Sequence, residues 1–249
     1  MLDIASKDGV AIVTMRHGKA NALDVEFCEA LAAQLPLLAS NSKAVILTGQ
    51  GKIFSAGVDL VRLSAGGAAY IRQFLPSLHR AFAAVFEFSK PIVAAVNGHA
   101  IAGGCVLACA ADRRIMAKDG GRVGVTELQV GVPFPPLAFE IMRHVTAPHF
   151  LEEVVLGAGT YVPDDALTRG LINEIVAPET LMDRAMAAAL SLASISPGAY
   201  ALSKRQLRQA AADRLSQSAQ WDAEITDVWV ADVTAQRVRD YVSRTLKKG

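Results

Sequence analysis

Two glycine-bearing turns carry the chemistry this chain can be read to do. Residues 90–115, K-P-I-V-A-A-V-N-G-H-A-I-A-G-G-C-V-L-A-C-A-A-D-R-R-I, read as a buried strand, a turn of small residues and an apolar helix opening at Gly103-Gly104. A helix start made of glycines presents free backbone N–H groups and a positive dipole end, with no side chain in front of them. The second turn, F-S-A-G-V-D-L at residues 54–60, follows another apolar strand at 44–48. Two N–H donors aimed at one point can hold a developing negative charge, such as the enolate of a thioester. Glu127, in G-V-T-E-L-Q-V-G-V-P, reads on the residues alone as a solvated loop acid; buried among Val125, Leu128 and Val130 instead, its pKa would rise towards neutrality.

Other polar residues read as structural. Asp59, after the second turn, is expected to bond local N–H groups and shape that turn. His99 neighbours the glycine pair without a chemical partner in the pattern, and Ser55 reads as a turn residue. Asp112 is expected to pair with Arg113 or Arg114 or to cap a strand end. Glu140, on the helix after a proline-rich stretch, reads as a surface acid and as the one candidate for a second carboxylate role. Cys28, Cys105 and Cys109 sit in apolar surroundings and read as packed thiols of a reducing compartment. The spacing of Cys105 and Cys109 places them on one helix face, but no further Cys or His cluster offers a metal set.

The elements that must position these residues follow from periodicity. Residues 2–6 and 10–15 flank Asp8-Gly9, a hairpin signal. Asp24 is a plausible N-cap for a helix over 25–35, which Pro36 is expected to end or bend. A β-branched strand covers 43–48, a small-residue loop 64–67, and a long helix 68–88 with Pro76 inside it. Strands are expected at 92–96, 113–117, 122–125 and 171–176, with helices at 137–144, 148–156 and 163–170. From 179 to 247 the pattern is almost continuously helical, broken at Ser196-Pro197-Gly198. Strands separated by helices imply an α/β core with crossover connections, followed by a helical extension. A length of 249 residues suits one large domain, or one domain plus a helical appendage, and 52% hydrophobic residues supply a sizeable core. A net charge of +1 gives no electrostatic case for nucleic acid. Residues 1–14 alternate and carry charges, unlike a leader. The longest apolar run, 92–111, is broken by Asn97, His99 and glycines, so no membrane partner is expected and the chain reads as cytoplasmic.

Taken in this order and spacing, each after a strand, the two turns resemble the oxyanion motifs of the crotonase superfamily, the enoyl-CoA hydratase/isomerase family. The resemblance covers essentially the whole chain. It implies a spiral of ββα units over residues 1–195 and a helical trimerisation region over 196–249. It also implies an acyl-CoA thioester substrate, with coenzyme A as part of the substrate and no separate cofactor, and a homotrimer or dimer of trimers. The oxyanion donors carried over are the N–H groups of Val58 and Gly103. Substrate contacts carried over are Lys19, Ala20 and Ala22 of H-G-K-A-N-A-L, with Ala56, Asp59, Leu60 and Gly104. The basic residues Arg237, Arg239, Arg244, Lys247 and Lys248 either reach the nucleotide phosphates or complement a helix dipole. Hydrating members of the family resemble one another in two glutamates that face one water. The position of the first, directly after G-G-C, is Val106 here, and that of the second is Glu127. An apolar residue after G-G-C, a glutamate in E-x-Q-x-G and prolines at 133, 135 and 136 resemble the Δ3,Δ2-enoyl-CoA isomerase branch. The resemblance therefore implies a shift of a double bond. Another crotonase-type reaction, namely weak hydration, decarboxylation or thioester hydrolysis, and non-catalytic acyl-CoA binding stay open. Replacing Val106 by Glu is expected to raise hydration.

Overall fold

The computed structural model describes residues 1–246. Asp8 and Gly9 both take positive φ, 54° and 80°, as the tight hairpin between β1 (Leu2–Lys7) and β2 (Val10–Met15) requires. From there the strands divide between two sheets. β3 (Ala44–Thr48), β5 (Ile92–Val96), β7 (Arg113–Ala117) and β10 (Glu174–Val176) continue in parallel from β2, in the order β1-β2-β3-β5-β7-β10. β4 (Ile53–Ser55), β6 (His99–Ile101), β8 (Val123–Gly124) and β9 (Thr160–Tyr161) make the second sheet. Helix α1 (Val25–Asn41) joins β2 to β3, α2 (Leu60–Phe86) follows β4, and α3 (Gly103–Cys109) follows β6. Each unit β3-β4-α2 and β5-β6-α3 thus gives one strand to each sheet before its helix, which is the spiral the resemblance implied. Helices α4 (Pro136–Val145), α5 (Leu151–Leu156) and α6 (Pro163–Thr168) lie between β8 and β10, and α7 (Leu181–Ala193), α8 (Pro197–Ser216), α9 (Ala219–Val230) and α10 (Asp232–Leu246) complete the chain.

Every residue of β3 and β5 is buried, because the large sheet is covered on both faces. Val45, Leu47, Ala94 and Val96 face the main core with Phe27, Phe74 and Phe82. The alternate residues Ala44, Ile46, Val93 and Ala95 meet Leu181, Ala185 and Ala189 of α7. Helix α8 then packs on α4, and α9 and α10 return to α2. No single helix among the described residues is long and apolar enough to cross a membrane.

Several local expectations are corrected. Helix α1 does not stop at Pro36 but runs to Asn41. Pro36 is on the exposed face, while Leu35 and Leu38 either side of it are buried. Burying those two side chains, at about 1.5–3 kcal/mol each, offsets the roughly 3 kcal/mol a mid-helix proline costs. The loop expected at 64–67 is helical, with the break confined to Gly67 at φ 57°, ψ −155°. Asp112 pairs with neither Arg113 nor Arg114 but, as the alternative expectation had it, caps a strand end, the start of β5. Its carboxylate accepts Lys204 Nζ at 2.8 Å and Arg208 Nη2 at 2.9 Å, both from α8, and the Ile92 N–H at 2.9 Å.

Candidate active site

The two glycine turns meet. A Cβ placed on Gly57, which sits at φ 84°, would lie 2.6 Å from the Ile101 carbonyl oxygen and 3.1 Å from the Gly103 nitrogen. Only a glycine fits a left-handed position with another chain this close. Gly103 in turn lies against Val58, 3.7 Å from its Cγ2 by the same measure. The carried-over donors are therefore neighbours. The chain at Val58 bridges to Leu23 through the Gly57 carbonyl and the Asp59 N–H, a pattern that leaves the Val58 N–H out of the ladder. The internal bonds of α3 begin at Cys105 and Val106, both donating to the Ala102 carbonyl, which leaves the Gly103 N–H at the helix opening. Ala102, at φ 50°, reverses the chain just before it. At seven residues α3 carries a small dipole, so the donors act as individual N–H groups more than as a helix end.

Glu127 opens a 3-10 turn (Glu127–Gln129) directly after β8. It is 7% exposed, and its Oε2 is buried without a hydrogen-bond donor from the described residues. Burial pushes its pKa up to about 7, against a smaller opposing pull from the backbone N–H groups of Glu127 and Thr126. Glu127 faces a cavity of about 80 Å³ whose wall also includes Ala56, Val58, Leu60 and Ala102. One small, partly open cavity therefore has the 56–60 turn and the carboxylate in its wall, while Gly103 adjoins it through Ala102. Ile101, Thr126, Val130 and Val132 extend the wall, and Trp229 of α9 and Tyr241 of α10 close it.

Of the remaining carried-over residues, Ala56 and Leu60 line that cavity, and Lys19, Ala20, Ala22, Asp59 and Gly104 do not. The loop carrying Lys19, Ala20 and Ala22 is laced to the oxyanion turn. The Ala56 N–H donates to the Ala20 carbonyl at 3.0 Å, the Leu23 N–H to Gly57 at 2.8 Å, and Ser55 Oγ to the Asn21 carbonyl at 2.7 Å. Lys19 itself is exposed beside this seam. Asp59 caps α2 by accepting the Arg62 N–H at 2.9 Å, the shaping role expected of it. Gly104 is buried, and a Cβ there would meet the Ser55 carbonyl at 2.3 Å, so its near face is filled by β4. His99 is exposed, accepts the Arg122 N–H and does not line the cavity.

The two positions that decide the carboxylate count are also clear. Val106 is fully buried inside α3 and is not part of the cavity wall, so it does not share the void with Glu127 as the resemblance implied. Glu140 is no surface acid. It is 6% exposed and held by Arg214 Nε at 2.7 Å and Arg143 at 3.6 Å, away from the cavity. Among the C-terminal cations, Arg237 lays its stem over Gly131, close to the Glu127 turn. Arg239 bonds Gln236 and Arg244 bonds the Asp240 carbonyl, both within α10. Lys247 and Lys248 lie outside the described residues. Among the described residues no group of three His, Cys, Asp or Glu side chains is placed to hold a metal ion.

Sequence reasoning passed over Asn21, Trp229 and Tyr241. Asn21, at φ 47° and buried, accepts the His17 N–H and donates to the Phe54 carbonyl, locking the loop onto β4. Trp229 donates from Nε1 to the Pro133 carbonyl at 2.9 Å. The chain has two tryptophans; Trp221 is 53% exposed and Trp229 2%. The signal existed, since Trp229 is a large apolar residue in a mostly polar tail, but local periodicity does not say which tryptophan turns inward.

Two glycine turns packed together beside one buried acid, on two sheets wound as ββα units, are the fold and site that the family comparison can be set against. Residues 5–239 match the family model described as Enoyl-CoA hydratase/isomerase. The chain belongs to that family. The short-chain-enoyl-CoA hydratase of Clostridium acetobutylicum is 32% identical over 211 residues, 83% of this chain and 80% of that protein. The human mitochondrial enoyl-CoA delta isomerase 1 is 30% identical over 213 residues, 83% of this chain and 70% of that protein. The crystal structure of human mitochondrial delta3-delta2-enoyl-CoA isomerase matches with a TM-score of 0.94 at 24% identity, covering 99% of this chain and 98% of that one. At that identity the likeness is one of fold.

Proposed function

We propose that this protein shifts the double bond of a 3-enoyl-CoA into conjugation with the thioester. The observation that carries the reading is that Glu127 is the single carboxylate lining the site cavity among the described residues. Addition of water needs one group to activate the water and another to protonate the α-carbon. Here Val106 is apolar and enclosed, and Glu140 is committed to arginines. Migration of a double bond needs less. Glu127 takes a proton from the α-carbon, the Val58 and Gly103 N–H groups hold the enolate oxygen, and the same carboxyl group returns a proton at the γ-carbon. A pKa near 7 suits a group that must act in both directions.

The substrate contacts proposed are Lys19, Ala20, Ala22, Ala56, Asp59 and Leu60, and the working assembly a trimer or a dimer of trimers. Relatives bear both hydratase and isomerase names, so the rival is enoyl-CoA hydration. Ultraviolet absorbance separates the two, because isomerisation of a 3-enoyl-CoA creates the conjugated thioester and hydration of a 2-enoyl-CoA destroys it. The proposal expects the first rate to exceed the second. Hydration as the faster reaction overturns it.

A further inference from the structure

We propose a second ligand site, for a small oxyanion of the phosphate type, between α8 and the start of β7. The site is independent of the enoyl-CoA chemistry above. An open cavity of about 490 Å³ lies there among β7, the end of α4 and one face of α8. None of the residues lining it lines the cavity of Glu127. Four cations stand on its wall, Arg113 and Arg114 of β7 with Lys204 and Arg208 of α8. Asp112 is the one acid on that wall.

The charges do not balance. Arg113 is matched from beyond the wall, donating to Glu174 at 2.8 Å. Asp112 serves Lys204 and Arg208 together, at 2.8 and 2.9 Å. The Arg114 guanidinium has carbonyls only, those of Ala111 at 3.0 Å and Gly170 at 3.4 Å. Lys204, Arg208 and Arg114 thus share one acid, where Arg114 is 5% and Lys204 8% exposed. A buried cation without a partner of its own is unfavourable. The neighbours feel the excess. Burial and Arg208 pull the Lys204 ammonium down to about 8, against the opposing pull of Asp112. Burial, Arg208 and Arg114 hold the His144 imidazole, on the same wall, below its ordinary value. Donors are left unused as well. Of the five buried side-chain polar atoms without a partner among the described residues, three belong to arginines of this wall: Nε of Arg113, Nε of Arg114 and Nη1 of Arg208. Tyr200 and Ser203 bring hydroxyls to the same cavity. Guanidinium groups with hydroxyls beside them match an anion carrying several acceptor oxygens, as phosphate does, better than a compact halide. Such an anion offsets the excess charge and ties α8 to β7 a second time.

The test uses the full chain. Inorganic phosphate is titrated by calorimetry in buffer free of other oxyanions, with chloride at equal ionic strength as the control, and thermal unfolding is followed in parallel. Phosphate is expected to bind one site per chain. At a hundredfold excess over its Kd it should raise the unfolding midpoint by about 5 °C, which chloride should not do. Arg114→Met and Lys204→Met are expected to weaken phosphate binding at least about tenfold, as loss of a charge-assisted bond does. Arg80→Met removes an exposed arginine that pairs with Glu29 elsewhere on the chain, and should leave binding unchanged. Glycerol phosphate tells the two sources of the anion apart. If it binds as well, the site takes the phosphate end of a metabolite; if inorganic phosphate alone binds, it takes the free ion. Either result supports the site. No binding of phosphate, equal effects of phosphate and chloride, or unchanged binding in the folded Arg114→Met and Lys204→Met variants overturns the proposal. So does displacement of phosphate by coenzyme A, which would put the ion in the substrate site. If one variant fails to fold by circular dichroism, the other and the wild-type titration decide.

Discussion

Glu127 is held where its charge is unfavourable. Its folded-state pKa of about 7 stands above the ordinary 4.5 because the side chain is buried without a cation beside it. As a base it must be ionised, so kcat/KM should rise with pH through about 7 and then level off, which a pH–rate profile checks. The same shift has a stability consequence. Between 4.5 and about 7 the folded chain keeps a proton the unfolded chain has released, so this group lowers stability as pH rises across that window. Glu127→Gln should therefore lower kcat about 10²–10⁴-fold while leaving acyl-CoA binding nearly intact. It should also stabilise the fold at pH 8, by about 1–3 kcal/mol, and not at pH 4. Urea unfolding at the two pH values reads this, and equal stability changes at both would contradict the burial account. Val106→Glu meets the opposite physics. With Val106 enclosed in α3 and off the cavity wall, a carboxylate there is buried without a partner and should lower stability by several kcal/mol, read by the same unfolding experiment.

At the scale of elements, two strand ends deliver glycine turns to one place, where the proposed oxyanion donors Val58 and Gly103 are neighbours. Gly103→Ala would place a methyl group 2.9 Å from Leu23 Cδ1 and 3.7 Å from Val58 Cγ2, so the turn must shift to admit it. Loss of one donor's geometry should cost about 10²–10³-fold in kcat with a smaller effect on KM, measured by steady-state kinetics on the folded variant. The Asp112 cluster is the second joint, tying α8 to the start of β7. Asp112→Ala leaves Lys204 and Arg208 buried without their acid and should cost about 3–5 kcal/mol in thermal or urea unfolding. These elements were unequally legible in the sequence. The large sheet was readable because β3 and β5 are unbroken apolar runs, and Asp24 announced α1 by capping it through the Phe27 N–H. The strands β4, β6, β8 and β9 span two or three residues each, too short to show a period, so the second sheet was invisible as a sheet. The closeness of Val58 and Gly103 was legible because each sits in a local glycine pattern, whereas Glu127 was reached only through the family motif. Trp229 and Tyr241 were not, because they reach the cavity across the whole chain, and the partners of Asp112 were hidden for the same reason.

At the scale of the molecule, the C-terminal helices do two jobs with their two faces. Inward, α9 and α10 wall the cavity with Trp229 and Tyr241. Outward, Leu202, Leu207, Trp221 and Val233 are more than half exposed. Exposed apolar side chains on three C-terminal helices suit burial against other copies, and the proposed trimer or dimer of trimers is expected by analytical ultracentrifugation at micromolar concentration. A monomer there would contradict it. The most direct test of the central claim, that one enclosed carboxylate carries the proton, is a label transfer. But-3-enoyl-CoA with deuterium at the α-carbon is converted in ordinary water, and the conjugated product is read by mass spectrometry. The account predicts deuterium delivered by Glu127 to the γ-carbon of the product, and no product from Glu127→Gln. A product whose γ-carbon carries only solvent hydrogen, or one formed at the wild-type rate by Glu127→Gln, would contradict it.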